Sequence, residues 1–470
     1  MAEFPLLMTV SQLVQATGGT CLCDFSDSHG FTGVVTDSRN VQPGFLFVPL
    51  MGEFQDGHSF IPRALESGAS VVLVDGEHGD GSASLFFELA RARGAAFVRV
   101  PNTLRALQDA ARAYVDRFPS LHRVGITGSS GKTTTKEIVA SIFSRRYRVV
   151  MNEGNLNSET GLPLSVFKIR ADHQVGIFEL GMNRRGEMDE IASVLRPSLA
   201  LVTNVGTAHI GILGSQDAIA EEKKRIFAYF DSDSVGFVPE DDTYRDFLAR
   251  DVAGEIRAFG LRSTGGVTGT KALGIDGTQI EYEGLSIQFP LPGPYNLSNA
   301  LGAISLAREA GIGAREVKEG LEAVKPLFGR AEIIRGPITV ILDCYNANPD
   351  SMESAIHFYS RLEWPGRKIL VLGSMLELGA ESAEAHRMVC ASAAASPAEK
   401  VFLFGDDIVA ASAGTDWRGK DARSFGDIES LSAALERETV EGDLVFVKGS
   451  RGMALERVCP ALSRSGKVTP

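Results

Sequence analysis

The chain has 470 residues, with 47 Lys and Arg against 59 Asp and Glu, a formal net charge of −12. That length is too great for one hydrophobic core, and roughly three domains of about 150 residues are expected. A composition of 44% hydrophobic and 23% charged residues is that of a folded chain, and the acidic balance argues against a nucleic-acid groove as the main surface while leaving room for a local basic site that takes a small anion.

The N-terminal stretch MAEFPLLMTVSQLVQ has no basic region leading into an apolar core, so no signal peptide is read there. No run of about 18 apolar residues follows. The chain therefore reads as soluble and cytoplasmic, without membrane insertion. Cys21, Cys23, Cys344, Cys390 and Cys459 are scattered, which fits a reducing compartment and no metal knuckle. The close pair Cys21 and Cys23 reads as part of a strand or turn.

Short apolar strands open the chain: FTGVV (31–35), GFLFVPL (44–50), SVVLVDG (70–76) and AAFVRV (95–100), with a short helix IPRALESGA between them. Residues 102–118 carry Leu104, Leu107, Ala111, Tyr114, Val115 and Phe118 at helical spacing and read as a bridge to the next unit. From Leu121 the pattern becomes strand–helix alternation, through VGIFELG (175–181), SLALVTNVG (198–206) and DSVGFVPE (233–240). Buried strands separated by helices indicate a parallel, doubly wound sheet. Residues 254–290 break the rhythm with a Gly/Thr-rich stretch and a hairpin, TQIEYEGLSIQFPL, and a helix follows from PGPYNLSNALGAISLAREAG (292–311). The alternation restarts near KPLFGRAEII with ITVILDCYN, RKILVLGSM, KVFLFGDD and DLVFVKGSRG, a Rossmann-like unit. The expected fold is therefore α/β in three domains: a small α/β domain (1–101), a central doubly wound P-loop ATPase-like domain (102–326) and a C-terminal Rossmann-like domain (327–470).

GITGSSGKTTTKE (125–137) departs from the strict phosphate-loop pattern because Ile126 stands where the first glycine would be. Its physical content survives. Gly128, Ser129, Ser130 and Gly131 let backbone N–H groups turn inward at a helix N-terminus. Lys132 reaches the outer phosphates, the Thr133 hydroxyl is a Mg²⁺ ligand, and Thr134 continues the helix start. Three residues downstream could complete a metal site. Glu179 ends an apolar strand, where open α/β sheets present ligand-facing groups, although a lone strand-end Glu is more often solvated. His209 lies just past the next strand and has a usual ligand chemistry, although most such histidines are structural. Lys223 shares one helical face with Ile219, Ile226, Phe227 and Phe230, while Lys224 lies off it. Such a lysine either snorkels out or sits in a pocket as a neutral amine able to react with CO₂, giving a carbamate that ligates a second metal.

With Lys132, Glu179, His209 and Lys223 in this order, the chain resembles the Mur ligases, the ATP-dependent amide-forming enzymes of peptidoglycan precursor synthesis. The resemblance extends over nearly the whole chain. It is carried by TDSRNVQPGFLFVPLMGEFQDGHSFIPRALESGA (36–69), ITGSSGKTTTKE, NEGNLNSETGLP (152–163), FELGMN, FGRAE, DCYNANPDSMESA (343–355), VLGSMLELG and VKGSRGMALE. It implies ATP, Mg²⁺ as two ions, a carbamylated Lys223, and metal ligation by Thr133, Glu179, His209 and Lys223. It also implies that Asn296 contacts adenine, that Arg330 faces the nucleotide and that Asp343 binds ribose. Ser38 and Arg39 would contact a uridine nucleotide, with Asn155 and Asn157 near the active site. The YNANPDSM stretch, and the absence of a D-N-P-R motif, imply UDP-N-acetylmuramoyl-tripeptide and D-alanyl-D-alanine as partners of a monomeric enzyme, joined through an acyl phosphate. Phe45, Cys344 and Ser374 stand where relatives usually carry acids. The rival readings are another amide ligase of the superfamily (a third-residue-adding ligase or a folylpolyglutamate synthase) and a regulatory P-loop NTPase. The H-R-D and D-F-G set of a protein kinase is missing from the sequence.

Overall fold

The computed structural model describes residues 5–464 apart from 23, 24, 27, 53, 54 and 77–81. The Cys21–Cys23 reading thus lies partly outside the described residues. Near the N-terminus, four parallel strands, Gly33–Val35, Phe45–Phe47, Val71–Asp75 and Ala96–Val100, pair in that order, and Thr20–Cys21 closes the far edge antiparallel. Every residue of Val71–Asp75 is buried, as an interior parallel strand covered on both faces requires. The helix Thr103–Val115 is capped by the Asn102 side chain, which accepts the Arg105 N–H at 2.8 Å. It packs on the N-terminal helix Val10–Thr17 and on Gly161–Val166 and Glu187–Leu195 of the next unit, so it does bridge the two.

The central sheet has six parallel strands in the order Glu255–Phe259, Val235–Pro239, Leu199–Val202, His122–Thr127, Val175–Glu179, Val149–Met151. His122–Thr127 comes first in the chain but lies in the interior, with later strands on both sides. The crevice at its carboxyl end is the switch point where open α/β sheets bind ligands. From that end the chain turns through 128–131 into the helix Lys132–Phe143, which packs on Pro294–Glu309 and Ala314–Glu322.

The anticipated hairpin is part of a three-stranded antiparallel meander, Val267–Ala272, Thr278–Tyr282 and Leu285–Phe289. Its tight turn at Glu283 and Gly284 has φ of 47° and 80°, the left-handed pair that a two-residue hairpin loop needs. Val267–Ala272 escapes a pattern reading because none of its residues is buried.

The C-terminal sheet runs Glu332–Ile334, Thr339–Asp343, Leu444–Lys448, Lys368–Gly373, Lys400–Phe404, Asp421–Phe425, parallel except at its first strand. The architecture is thus three α/β units, as expected. Among the described residues no helix is long and apolar enough to cross a membrane.

Candidate active site

A cavity of about 620 Å³ opens where the carboxyl ends of the central and C-terminal sheets face each other. Its central-domain wall includes Ser129–Thr134, Glu179, Asn204 and His209; Arg330, Asp343, Tyr345 and Lys448 line it from the C-terminal side. The volume suits one nucleotide-sized ligand.

The phosphate loop is shaped by close packing. Gly131 has φ +80° and forms the N-cap of the helix Lys132–Phe143. A Cβ at Gly128 would lie 1.8 Å from Thr203 Oγ1, and one at Gly131 would lie 2.5 Å from Asn299 Oδ1. The loop backbone is also held from the neighbouring strand's end. Ser129 N–H donates to the Asn204 carbonyl at 3.0 Å, Ser130 N–H donates to Asn204 Oδ1 at 3.0 Å, and Thr203 Oγ1 donates to the Ser130 carbonyl at 2.5 Å. Lys132 is half-buried and its Nζ donates back to the Gly128 carbonyl at 2.9 Å. Burial pushes its pKa down, Glu179 opposes that shift, and Arg330 adds to it.

Thr133 is the hub of the site. Its hydroxyl donates to Glu179 Oε2 at 2.7 Å and accepts from Arg330 Nη2 at 3.0 Å. Asn157 Nδ2 donates to Glu179 Oε1 at 2.7 Å. The Arg330 guanidinium stacks over Tyr345, 4.0 Å from the ring centroid, which fixes its plane. Asp343 accepts from Lys448 Nζ at 2.6 Å and from Ala331 N–H at 3.1 Å. Asn296 is buried, with Nδ2 donating to the Pro292 carbonyl at 2.7 Å. Further polar contacts tie the two domains: Asn348 Nδ2 to Ser130 Oγ at 3.1 Å, and Thr207 N–H and Oγ1 to Asp350 Oδ2 at 2.6 and 2.7 Å.

His209 Nδ1 is buried without a hydrogen-bond partner, although Glu377 Oε2 lies 3.2 Å away. Burial, with Lys132 and Lys223 adding to it, takes its pKa down to about 4. A neutral imidazole with an unused nitrogen is competent to ligate a metal. Thr133 and Glu179 add hard oxygen donors, so the set fits Mg²⁺. No cluster of three His, Cys, Asp or Glu side chains occurs among the described residues, in keeping with a Mg²⁺ that takes many of its oxygens from substrate phosphates and water. Lys223 is 1% exposed, among Ile219, Ile226 and Phe227. Burial drives its pKa well down and Lys132 adds to this, against Glu222. The apolar-face lysine is therefore enclosed and does not snorkel out. His209 (φ +65°), Ala331 (φ +55°) and Glu377 (φ +65°) are non-glycine residues in the left-handed region beside the cleft, where strain is held by surrounding structure.

Ser129 to Thr134, Asn155, Asn157, Glu179, His209, Asn296, Arg330 and Asp343 thus line one cavity. Gly128 and Lys223 are not among its lining residues, and Ser38 and Arg39 lie apart, in a short helical turn that follows the strand Gly33–Val35 of the N-terminal sheet. Ser38 is buried, while the exposed Arg39 side chain is held by Asp37 through contacts of 2.6 to 3.0 Å. Ser374 is turned inward, its Oγ accepting the Ile408 N–H at 3.2 Å. Sequence reasoning missed Asn204, Tyr345, Asp350 and Lys448. All four fall within quoted stretches, SLALVTNVG, YNANPDSM and VKGSRG, where the place at or just past a strand's end was the available signal.

Residues 126–307 match the model of the Mur ligase middle domain, 329–451 that of the Mur ligase glutamate ligase domain, and 30–115 that of the Mur ligase family catalytic domain. The chain is 47% identical over 461 residues to the UDP-N-acetylmuramoyl-tripeptide–D-alanyl-D-alanine ligase of Treponema pallidum (strain Nichols), covering 98% of this chain and 100% of the relative. It is 32% identical to the ligase of the same name in Bacillus subtilis (strain 168), covering 97% and 98%. Among solved structures, MurF from Acinetobacter baumannii superposes with a TM-score of 0.86 at 28% identity, covering 97% of this chain and 98% of that one. The MurF ligase of Thermotoga maritima in complex with ADP gives 0.78 at 25% identity, covering 92% and 97%.

Proposed function

Because the chain belongs to the Mur ligase family, we propose that it joins D-alanyl-D-alanine to UDP-N-acetylmuramoyl-tripeptide at the expense of ATP, yielding the UDP-muramoyl-pentapeptide, ADP and phosphate. The observation that carries the reading is the Thr133 hydroxyl, bonded at once to Glu179 of the central sheet and to Arg330 of the C-terminal domain. A phosphate loop built into a two-domain cleft suits transfer of a phosphoryl group to a second bound substrate.

A carboxylate and an amine do not condense in water unaided. The tripeptide's terminal carboxylate attacks the γ-phosphorus, the bond to the β-phosphate oxygen breaks, and ADP leaves behind an acyl phosphate. The amine of D-alanyl-D-alanine then attacks the acyl carbon, phosphate departs, and the amine's proton is lost as the amide forms. Lys132 exchanges its bond to Gly128 for the outer phosphates, and the N–H groups from Gly131 to Thr134 cradle them, while Ser129 and Ser130, whose N–H groups are bound to Asn204, hold the loop in shape. Arg330 opposes the charge that spreads over the transferred group. Asn296 and Asp343 take the adenosine end, Ser38 and Arg39 the uridine end, and Asn155 and Asn157 the approach of the peptide. Arg39 must leave Asp37 to do so.

Mg²⁺, as two ions held by Thr133, Glu179, His209 and a carbamate on Lys223, would supply the charge neutralisation that lets two anions meet. The carbamate forms when the neutral Lys223 amine adds CO₂ and releases a proton, and the depressed basicity of this enclosed amine supports that step. A cationic lysine would repel the metals instead.

Phosphate release from ATP is expected to require UDP-N-acetylmuramoyl-tripeptide and D-alanyl-D-alanine together. Steady release with neither present would identify a regulatory NTPase. Turnover with a single amino acid in place of the dipeptide would identify a different amide ligase of the superfamily.

A further inference from the structure

Lys136 stands one turn beyond Lys132 on the phosphate-loop helix and is 1% exposed. The phosphate chemistry leaves it unused. Its Nζ donates to the Asn152 carbonyl at 2.7 Å, and Glu137 Oε1 lies 3.1 Å away. Asn152, also 1% exposed, directly follows the edge strand Val149–Met151. That strand pairs with Val175–Glu179 only as far as Met151 opposite Ile177. Beyond this point the Asn152 side chain continues the pairing. Its Oδ1 accepts the Glu179 N–H at 2.9 Å, and its Nδ2 donates to the carbonyls of Glu179 at 2.9 Å and Leu156 at 2.8 Å.

One side chain thus holds the backbone of Glu179 on both sides, and one buried ammonium pins the residue that carries it. At the far end of Glu179 the carboxylate meets Thr133 and Asn157, and the Asn157 carbonyl accepts the Gly181 N–H at 2.8 Å. The chain of contacts runs from the phosphate-loop helix, through Lys136 and Asn152, to the carboxylate and back to Thr133 on the same helix. Enclosing an ammonium costs solvation, and a well-packed apolar side chain of similar volume often serves stability as well or better. What a hydrogen-bonded loop adds is a fixed direction for the groups at its end.

We propose that Lys136 and Asn152 are positioning residues for the nucleotide–magnesium site: they set the Glu179 carboxylate at its height against the phosphate loop. This rests on the ligase reading above. The test uses the full chain with Lys136→Met and Asn152→Leu, and follows Mg²⁺-dependent ADP binding by titration calorimetry beside ligation kinetics. The Mg²⁺ concentration for half-saturation is expected to rise about 10-fold or more in each variant. ADP binding without Mg²⁺ and the KM for UDP-N-acetylmuramoyl-tripeptide should stay within about twofold while kcat falls, and Lys136→Arg should recover part of the loss. A folded Lys136→Met chain with wild-type Mg²⁺ dependence overturns the proposal, as does an equal weakening of every ligand. If Lys136→Met fails to fold, Asn152→Leu decides on the same readouts. A wild-type chain that binds Mg²⁺ and ADP but ligates nothing would count against the ligase reading and leave the positioning role to be judged by the calorimetry.

Discussion

Lys223 is the residue whose chemistry departs furthest from its type. Its amine is enclosed with Lys132 nearby, so the neutral form is favoured. Lys223→Ala is expected to lower kcat by about 100-fold, and millimolar short-chain carboxylates should restore part of it by occupying the vacated anion site. Full activity without added carboxylate would end the carbamate reading. Gly128 tests the loop in a different way. With Thr203 Oγ1 1.8 Å from its Cβ position, Gly128→Ala should cost about 2 kcal/mol of stability and weaken ATP binding, both measurable by denaturant titration with and without nucleotide. At this scale the sequence was informative where a residue type was out of keeping with its neighbours. A lysine among Ile219, Ile226 and Phe227 is legible as unusual. Asn204 and Asn152 are not, because an asparagine past a strand reads as an ordinary turn residue, and its value lies in backbone groups that only folding brings near it.

The loop that brings Glu159 close to the helix Glu187–Leu195 forms a pair of carboxyls. Glu187 is buried; its Oε2 accepts the N–H groups of Asn183 and Arg184 at 2.6 and 3.2 Å, and its Oε1 has no donor. Burial and the neighbouring Glu159 push its pKa up to about 7, while Glu159 moves down from its ordinary value through the same contact. One proton between them satisfies both. A raised acid binds its proton more tightly folded than unfolded, so its contribution is complete below about pH 4.5 and is lost as pH climbs through about 7. Glu187→Gln mimics the protonated form. It should match the wild type in urea unfolding at pH 5 and exceed it by about 1 to 2 kcal/mol at pH 8, the opposing shift of Glu159 limiting the gain. Equal stability differences at both pH values would remove the shared proton. Among elements, buried strands such as Val71–Asp75 and Val175–Glu179 were legible because each is an apolar run with a carboxylate only at its end. Asp421–Phe425 and Val267–Ala272 were not: neither contains a buried residue, so no apolar pattern marks them.

Across the whole molecule, the central and C-terminal domains meet at the cavity through polar contacts, Arg330 to Thr133, Asn348 to Ser130 and Thr207 to Asp350, and beside it through Ile210, Ile275 and Tyr295, which pack on the C-terminal core. The polar contacts at the cavity release easily, so relative domain motion is the expectation. Arg330→Ala should therefore leave the melting temperature within about 2 °C of wild type and reduce kcat by about 100-fold. A fall in melting temperature that accounts for the lost activity would reassign Arg330 to folding. The order of the domains was readable from strand–helix alternation and from the phosphate loop. The cavity between them was not, since it joins residues about 200 positions apart, such as Thr133 and Arg330.

Three residues beside that cavity, His209, Ala331 and Glu377, adopt backbone conformations that L-amino acids avoid. Each carries a side chain where glycine would meet less strain. Glycine there would relieve the strain and at the same time loosen the chain beside the site. Ala331→Gly illustrates the exchange. Easier backbone geometry and a floppier unfolded chain nearly offset each other, to within about 1 kcal/mol, yet the neighbouring Arg330 loses its stiff support. A screen that scores only survival on heating would pass such a chain as sound, and the damage would show only in the rate at which it makes product.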